Sequence, residues 1–142
     1  MIPVEQTRFN AHDGNCHPAC IASVLEVPLE EVPQPTIDEL ADFEGWDRYR
    51  ERLRRDFLHP RNLSDLALGV HDGLGGPFRP PGYAILCAVS PRTGGFHSVV
   101  ALDGEIVWDP HPEREMGVGQ WNDWTVFTVL DPSKPVGKEK SN

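Results

Sequence analysis

Apolar residues recur every three or four positions at Leu40, Phe43, Trp46, Tyr49, Leu53 and Phe57, with arginines between them. That spacing predicts a helix with one greasy stripe against a core. Thr36 and Glu39 stand at the spacing of a capping box, so this helix is expected to begin at Thr36, with Gly45 as a kink. Upstream, residues 16–26 read as a first helix; Pro18 fits only its first turn, and Pro28 marks its end. Residues 63–70 suit a short helix or a strand, and 73–82 a loop. Beyond residue 80 the pattern becomes β-rich, with strands expected at 83–90, 96–102, 105–108 and 124–130. Asp103-Gly104 is a strong hairpin signal between the second and third of these. Helices first and an antiparallel sheet afterwards make an α+β domain, expected over residues 1–130, with a flexible polar tail at 131–142.

Composition narrows the partners. The chain has 142 residues, enough for one domain with a sizeable core. Lys and Arg number 13 against 22 Asp and Glu, a net charge of −9, which argues against a nucleic-acid partner held through its phosphates. The densest basic run, 48–55, is interleaved with Glu51 and reads as a solvated helix face. No apolar run approaches the roughly 18 residues of a membrane span. The start MIPVEQTRFN lacks the pattern of a secretory signal. Three cysteines, an odd number, do not suggest a disulfide framework, so a reducing, cytoplasmic setting is expected.

Two segments carry chemistry. In DGNCHPAC a turn delivers Cys16 to the beginning of a helix. There the unpaired N–H groups and the positive end of the helix dipole favour the thiolate, the nucleophilic form. The same N–H groups suit an oxyanion formed when a carbonyl is attacked. Cys20, one turn on, is expected to pack as a small hydrophobe, and Cys87 to sit in the core of a strand. His17 is expected to point away from Cys16, toward solvent or the cleft rim. In the second segment, GGFHSVVALDGEIVWDP, His97 opens one strand and Asp109 closes its hairpin partner. A carboxylate on the neighbouring strand can fix the tautomer and direction of an imidazole, so Cys16, His97 and Asp109 supply nucleophile, base and orienter.

Strand register tests that pairing. A two-residue loop at Asp103-Gly104 would set Ser98 opposite Asp109 and put His97 on the other face. The triad therefore requires a three-residue loop, Leu102-Asp103-Gly104, or a bulge between His97 and Asp109.

The ordered segments GNCHPACIASVLEVPLEEVP and GFHSVVALDGEIVWDPHP, about a quarter of the chain, resemble the papain-like cysteine peptidase superfamily. The nearest likeness is to its compact bacterial and phage group, similar to bacteriocin-leader-processing peptidases. The resemblance implies a papain-like α+β fold and a thiolate–imidazolium pair attacking an amide. It also implies a Gln or similar donor about six residues before the Cys, completing the oxyanion hole. Asn10 holds that position here and Gln6 lies ten before; Gln6 is favoured as the longer donor. Asn10, Asn15, Phe96 and Trp108 flank these groups and are the candidate substrate contacts. The expected partner is a peptide or protein, with no cofactor, no metal, no nucleic acid and no membrane. A cysteine-dependent amide hydrolase is the leading expectation. An acyltransferase with the same triad and an amine acceptor is the alternative, and a non-catalytic module of the same fold a third reading. A zinc site from Cys16, Cys20, His97 and His111 is weaker, because no paired His spacing supports it. His111 is expected as a loop residue near the site. Trp108, Trp121 and Trp124 either wall the cleft or pack in the core.

Overall fold

Helix α1 (Cys16–Leu25) begins directly after Asn15, with Pro18 in its first turn. Cys20, Ile21 and Ala22 are wholly buried and form its packing face. The computed structural model describes residues 1–9, 14–69, 79–89, 96–113 and 121–136. A 3₁₀ turn (Leu29–Glu31) leads to α2 (Ile37–Leu40), whose capping box is formed in both directions: Thr36 Oγ1 accepts from the Glu39 amide, and Glu39 Oε1 from the Thr36 amide.

The expected second helix is broken earlier than Gly45. It stops at Leu40, and α3 (Phe43–Leu53) restarts under a new cap, Asp42 Oδ1 accepting from the Gly45 amide at 2.7 Å. Gly45 is needed there for closeness rather than as a kink: a Cβ would lie 2.5 Å from the Asp38 carbonyl oxygen. The helical run continues through a π turn (Arg54–Leu58) and a 3₁₀ turn (His59–Arg61). Tyr49, Leu53 and Phe57 of the stripe are buried, but Phe43 is 77% exposed and belongs to the surface.

Five strands follow: β1 (Leu63–Gly69), β2 (Tyr83–Val89), β3 (Phe96–Leu102), β4 (Glu105–Trp108) and β5 (Trp121–Val129). The ambiguous 63–70 stretch is thus a strand, and the last strand starts three residues before the expected Trp124. All neighbours are antiparallel, in the order β1-β5-β2-β3-β4. Strand alternation sends side chains to two cores. Ile85 and Val100 meet α1, Tyr49, Leu53 and Phe57 on one face. Ala84, Leu86, Val99, Ala101 and Trp124 pack on the other.

Buried Asp65 of β1 ties α3 to the sheet by accepting from Arg50 and Arg54. The N-terminal segment lies along α1 through bonds from the Ile2 and Val4 amides to Ser23. The segment after β5 is not loose at its start: Asn62 Nδ2 donates to the carbonyls of Asp131 and Lys134, and Asn62 Oδ1 accepts from the Asp131 amide. Residues 137–142 lie outside the described residues. Among those described, no helix is long and apolar enough to cross a membrane.

Candidate active site

The β3–β4 hairpin aims the first two groups. Its loop is the two-residue Asp103-Gly104 pair, with Leu102 opposite Glu105. Both loop residues have positive φ, 51° and 84°, the mirror-image turn that suits strand twist and that glycine tolerates best. The three-residue loop is therefore not used. The register instead shifts between Ala101, opposite Ile106, and Val100, opposite Trp108, leaving Val107 as an extra residue. This bulge inverts the alternation of everything after it. Trp108 joins Val100 in the helix-side core, and Asp109 turns to the side of His97. Its carboxylate Oδ1 then lies 2.7 Å from His97 Nε2. The same oxygen accepts the His111 amide at 2.9 Å, which fixes the carboxylate.

Cys16 arrives from α1. Asn15 provides no side-chain cap, and the first turn holds no carboxylate, so no acidic side chain competes for the positive helix end. The half-buried thiol lies beside His97 and Ser98, both of which stabilise its charged form. Since His97 Nε2 faces Asp109, its other nitrogen, Nδ1, faces the sulfur. Burial alone would raise the Cys16 pKa; the His97 hydrogen bond and charge, with the Ser98 donors, overcome it and leave the thiol below its ordinary range. Burial likewise opposes a charged His97. The Asp109 and Cys16 bonds override it and hold the imidazole at about 9. Both shifts run toward a thiolate and an imidazolium.

The other candidates separate into distinct roles. Gln6 is buried, its amide donating to the Pro110 carbonyl, next to Asp109, at 3.0 Å. Its side-chain Nε2 donates to the Arg8 carbonyl at 2.8 Å, while Oε1 has no partner among the described residues. Asn10 lies outside the described residues. Asn15 is buried, and both ends of its amide are taken up within the chain. Oδ1 accepts from the Thr7 and Arg8 amides, and Nδ2 donates to Thr7 Oγ1 and Gln34 Oε1. It therefore pins the segment carrying Gln6 to the start of α1. Trp108 packs in the core and donates from Nε1 to the Val4 carbonyl at 3.1 Å, a further tie to that segment. Phe96 is 60% exposed beside His97 and touches Phe43, with ring centroids 6.2 Å apart.

His17 departs from expectation. It is buried, stands edge-on to Trp46 and meets Ser98 Oγ through Nδ1 at 3.1 Å. The start of α1 meets β3 closely enough that the residue after Cys16 is covered too. Burial pushes its imidazole down to about 4, so it is neutral. Cys20 is wholly buried, and its thiol is raised well above the ordinary range by burial. Cys87 is half-buried and raised to about 12, again by burial. The His111 ring lies 6.4 Å from that of His97 and edge-on to Phe9. Trp124 is core; the Trp121 side chain lies outside the described residues. Among the described residues no group of three His, Cys, Asp or Glu side chains is placed to hold a metal ion.

Sequence reasoning missed Ser98. Its signal was alternation: a serine next to a histidine at a strand start faces the opposite side, where the helix packs. No family model, curated protein or solved structure matches the chain.

Proposed function

We propose that the protein is a cysteine-dependent hydrolase of peptide or other amide bonds, working through Cys16, His97 and Asp109 in the manner of papain-like peptidases. The observation that carries this reading is the convergence of Cys16 and Asp109 on His97: the His97–Asp109 bond is 2.7 Å long, and His97 lies close enough to the thiol to lower its pKa. His97 holds the proton taken from Cys16. The thiolate adds to the carbonyl carbon, and the oxyanion is met by the Cys16 amide and the side-chain amide of Gln6. His97 then passes its proton to the nitrogen as the C–N bond breaks, leaving a thioester on Cys16. Water attacks the thioester, His97 takes a proton from it, and the carboxylic acid leaves with the thiolate restored.

The test has two arms. Iodoacetamide is expected to alkylate Cys16 selectively near neutral pH, ahead of Cys20 and Cys87, whose thiols are raised. A fluorogenic peptide library is then expected to yield carboxylate products. Added primary amines would divert the products to amides if acyl transfer were the true reaction. An unreactive Cys16 would leave only a non-catalytic module.

A further inference from the structure

Beyond Cys16, the helix-facing side of the sheet carries a row of side chains that the catalytic steps do not use. Ser98 of β3 pairs with Cys87 of β2, and Cys87 with Asp123 of β5. Cross-strand partners share a face, so the three stand in one line. The line begins at the thiol, which Ser98 touches. Cys87, paired with Ser98 on one side and Asp123 on the other, lies between them. Ser98 and Asp123 are two inter-strand spacings apart, about 10 Å. That distance is roughly three residues of extended chain.

The far end of the row is unmet. Asp123 is half-buried, and among the described residues it has no hydrogen bond or ion pair. The nearby cation Arg50 is engaged with buried Asp65. A partly desolvated carboxylate without a partner is costly and invites a cation. Among the described residues, buried His17 Nε2 also has no hydrogen-bond partner.

The wall beside the row is aromatic. Trp46 of α3 stands against His17 at 5.1 Å between ring centroids. One turn earlier, Phe43 meets Phe96, which shares a face of β3 with Ser98, and these two rings are 77% and 60% exposed. Aromatic faces attract cations and cover the apolar stem of a long basic side chain.

We infer that the half-buried Cys87–Asp123 end of this row is a substrate subsite for a lysine or arginine side chain lying within about three residues of the bond cleaved, with Asp123 as counter-ion and Phe43, Phe96 and Trp46 as wall. The inference rests on the catalytic reading, since it places the subsite relative to Cys16. The net charge of −9 draws a basic peptide to the molecule in general, and Asp123 gives it an address.

The experiment uses the full chain and two sets of thiol-reactive peptidyl ketones, identical except for lysine or norleucine walked over the three positions beside the electrophile. Labelling of Cys16 is followed by mass spectrometry. At one position lysine is expected to label about 10–100 times faster, the size of one charge-assisted hydrogen bond. Asp123→Asn should bring that ratio close to one while leaving the iodoacetamide rate unchanged, and Asp123→Lys should turn the preference toward a glutamate peptide. No lysine preference in the wild type, or a preference that survives D123N in a folded protein, overturns the subsite. If iodoacetamide itself leaves Cys16 unlabelled, the catalytic reading is what has failed. Calorimetric binding of the lysine and norleucine peptides without the electrophile then decides the subsite alone. A lysine preference lost in D123N supports it, and equal affinities overturn it.

Discussion

Two histidines meet where α1 crosses β3, and each bonds the other's neighbour: His97 reaches Cys16, while His17 reaches Ser98. They are buried alike, with 4% and 5% of their surface exposed. Yet His97 is held up at about 9 and His17 pushed down to about 4. Burial lowers both, because it disfavours the charged ring. The difference lies in what faces each ring. His97 has the Asp109 carboxylate at 2.7 Å on one nitrogen and the ionisable Cys16 on the other. His17 has a neutral hydroxyl at 3.1 Å, and the distant pull of Asp65 is opposed by Arg50. Depth therefore does not set the charge of an imidazole; a carboxylate on one side and an ionisable thiol on the other do.

Removing the thiol tests this most severely. Cys16→Ala should lower peptide turnover by at least about 10⁴-fold, because no other described thiol is ionised near neutral pH. It should also lower the His97 pKa, since Cys16 supports the imidazolium. Turnover assays and imidazole titration by NMR measure the two effects; turnover that survives rejects the mechanism.

Asp109→Ala should make His97 resemble His17. With the carboxylate gone, burial dominates and the imidazole pKa falls from about 9 toward the acid side. The wild-type alkaline limb of activity is expected near pH 9, where His97 loses the proton that the leaving amine needs. In the variant this limb should move to lower pH, and turnover should drop by about 10²–10⁴. An unmoved limb would mean that Asp109 only fills space.

What could be read in advance divides along the same line. Cys16, the capping box at Thr36 and Glu39, and the hairpin at Asp103-Gly104 are local signals, each contained in a few consecutive residues. The bulge at Val107 is not local. It is chosen by Trp108, which enters the helix-side core and reaches the Val4 carbonyl 104 positions away. His17 was misread for the same reason, since its burial depends on Ser98, 81 positions away. Phe43 fits the helical stripe, but the break before Asp42 re-aims α3 and exposes it. Gln34, which helps Asn15 hold the segment carrying Gln6, sends no sequence signal at all.

Deleting Val107 sharpens the comparison by geometry alone. Without the extra residue the two strands pair continuously, yet Ile106 stays opposite Ala101 and Trp108 opposite Val100, so Asp109 stays on the side of His97. Both Val107 and its neighbour Ile106 are 43% exposed on the sheet's edge strand, so the deletion disturbs little packing. The folded variant should keep turnover within about tenfold of the wild type and leave the His97 pKa where it was. A loss of about 10²-fold would show that the bulge itself, beyond setting the face of Asp109, aims the carboxylate.

The smallest expected effect concerns stability rather than turnover. His17 stays neutral in the fold down to about 4, whereas its unperturbed value is 6.5. Between those values the unfolded chain binds a proton that the folded chain refuses, so this residue's contribution is complete above about 6.5 and falls as the pH drops toward about 4. His97 works in the opposite sense: its raised value favours the fold below about 6.5, and that contribution disappears as the pH rises through about 9. His17→Gln keeps a polar group for Ser98 but does not titrate. Its urea midpoint should therefore fall less steeply than the wild type's between pH 6.5 and 4, while above pH 7 the two curves should run parallel. If they run parallel throughout, His17 takes up its proton within the fold, and the contrast with His97 does not arise from burial.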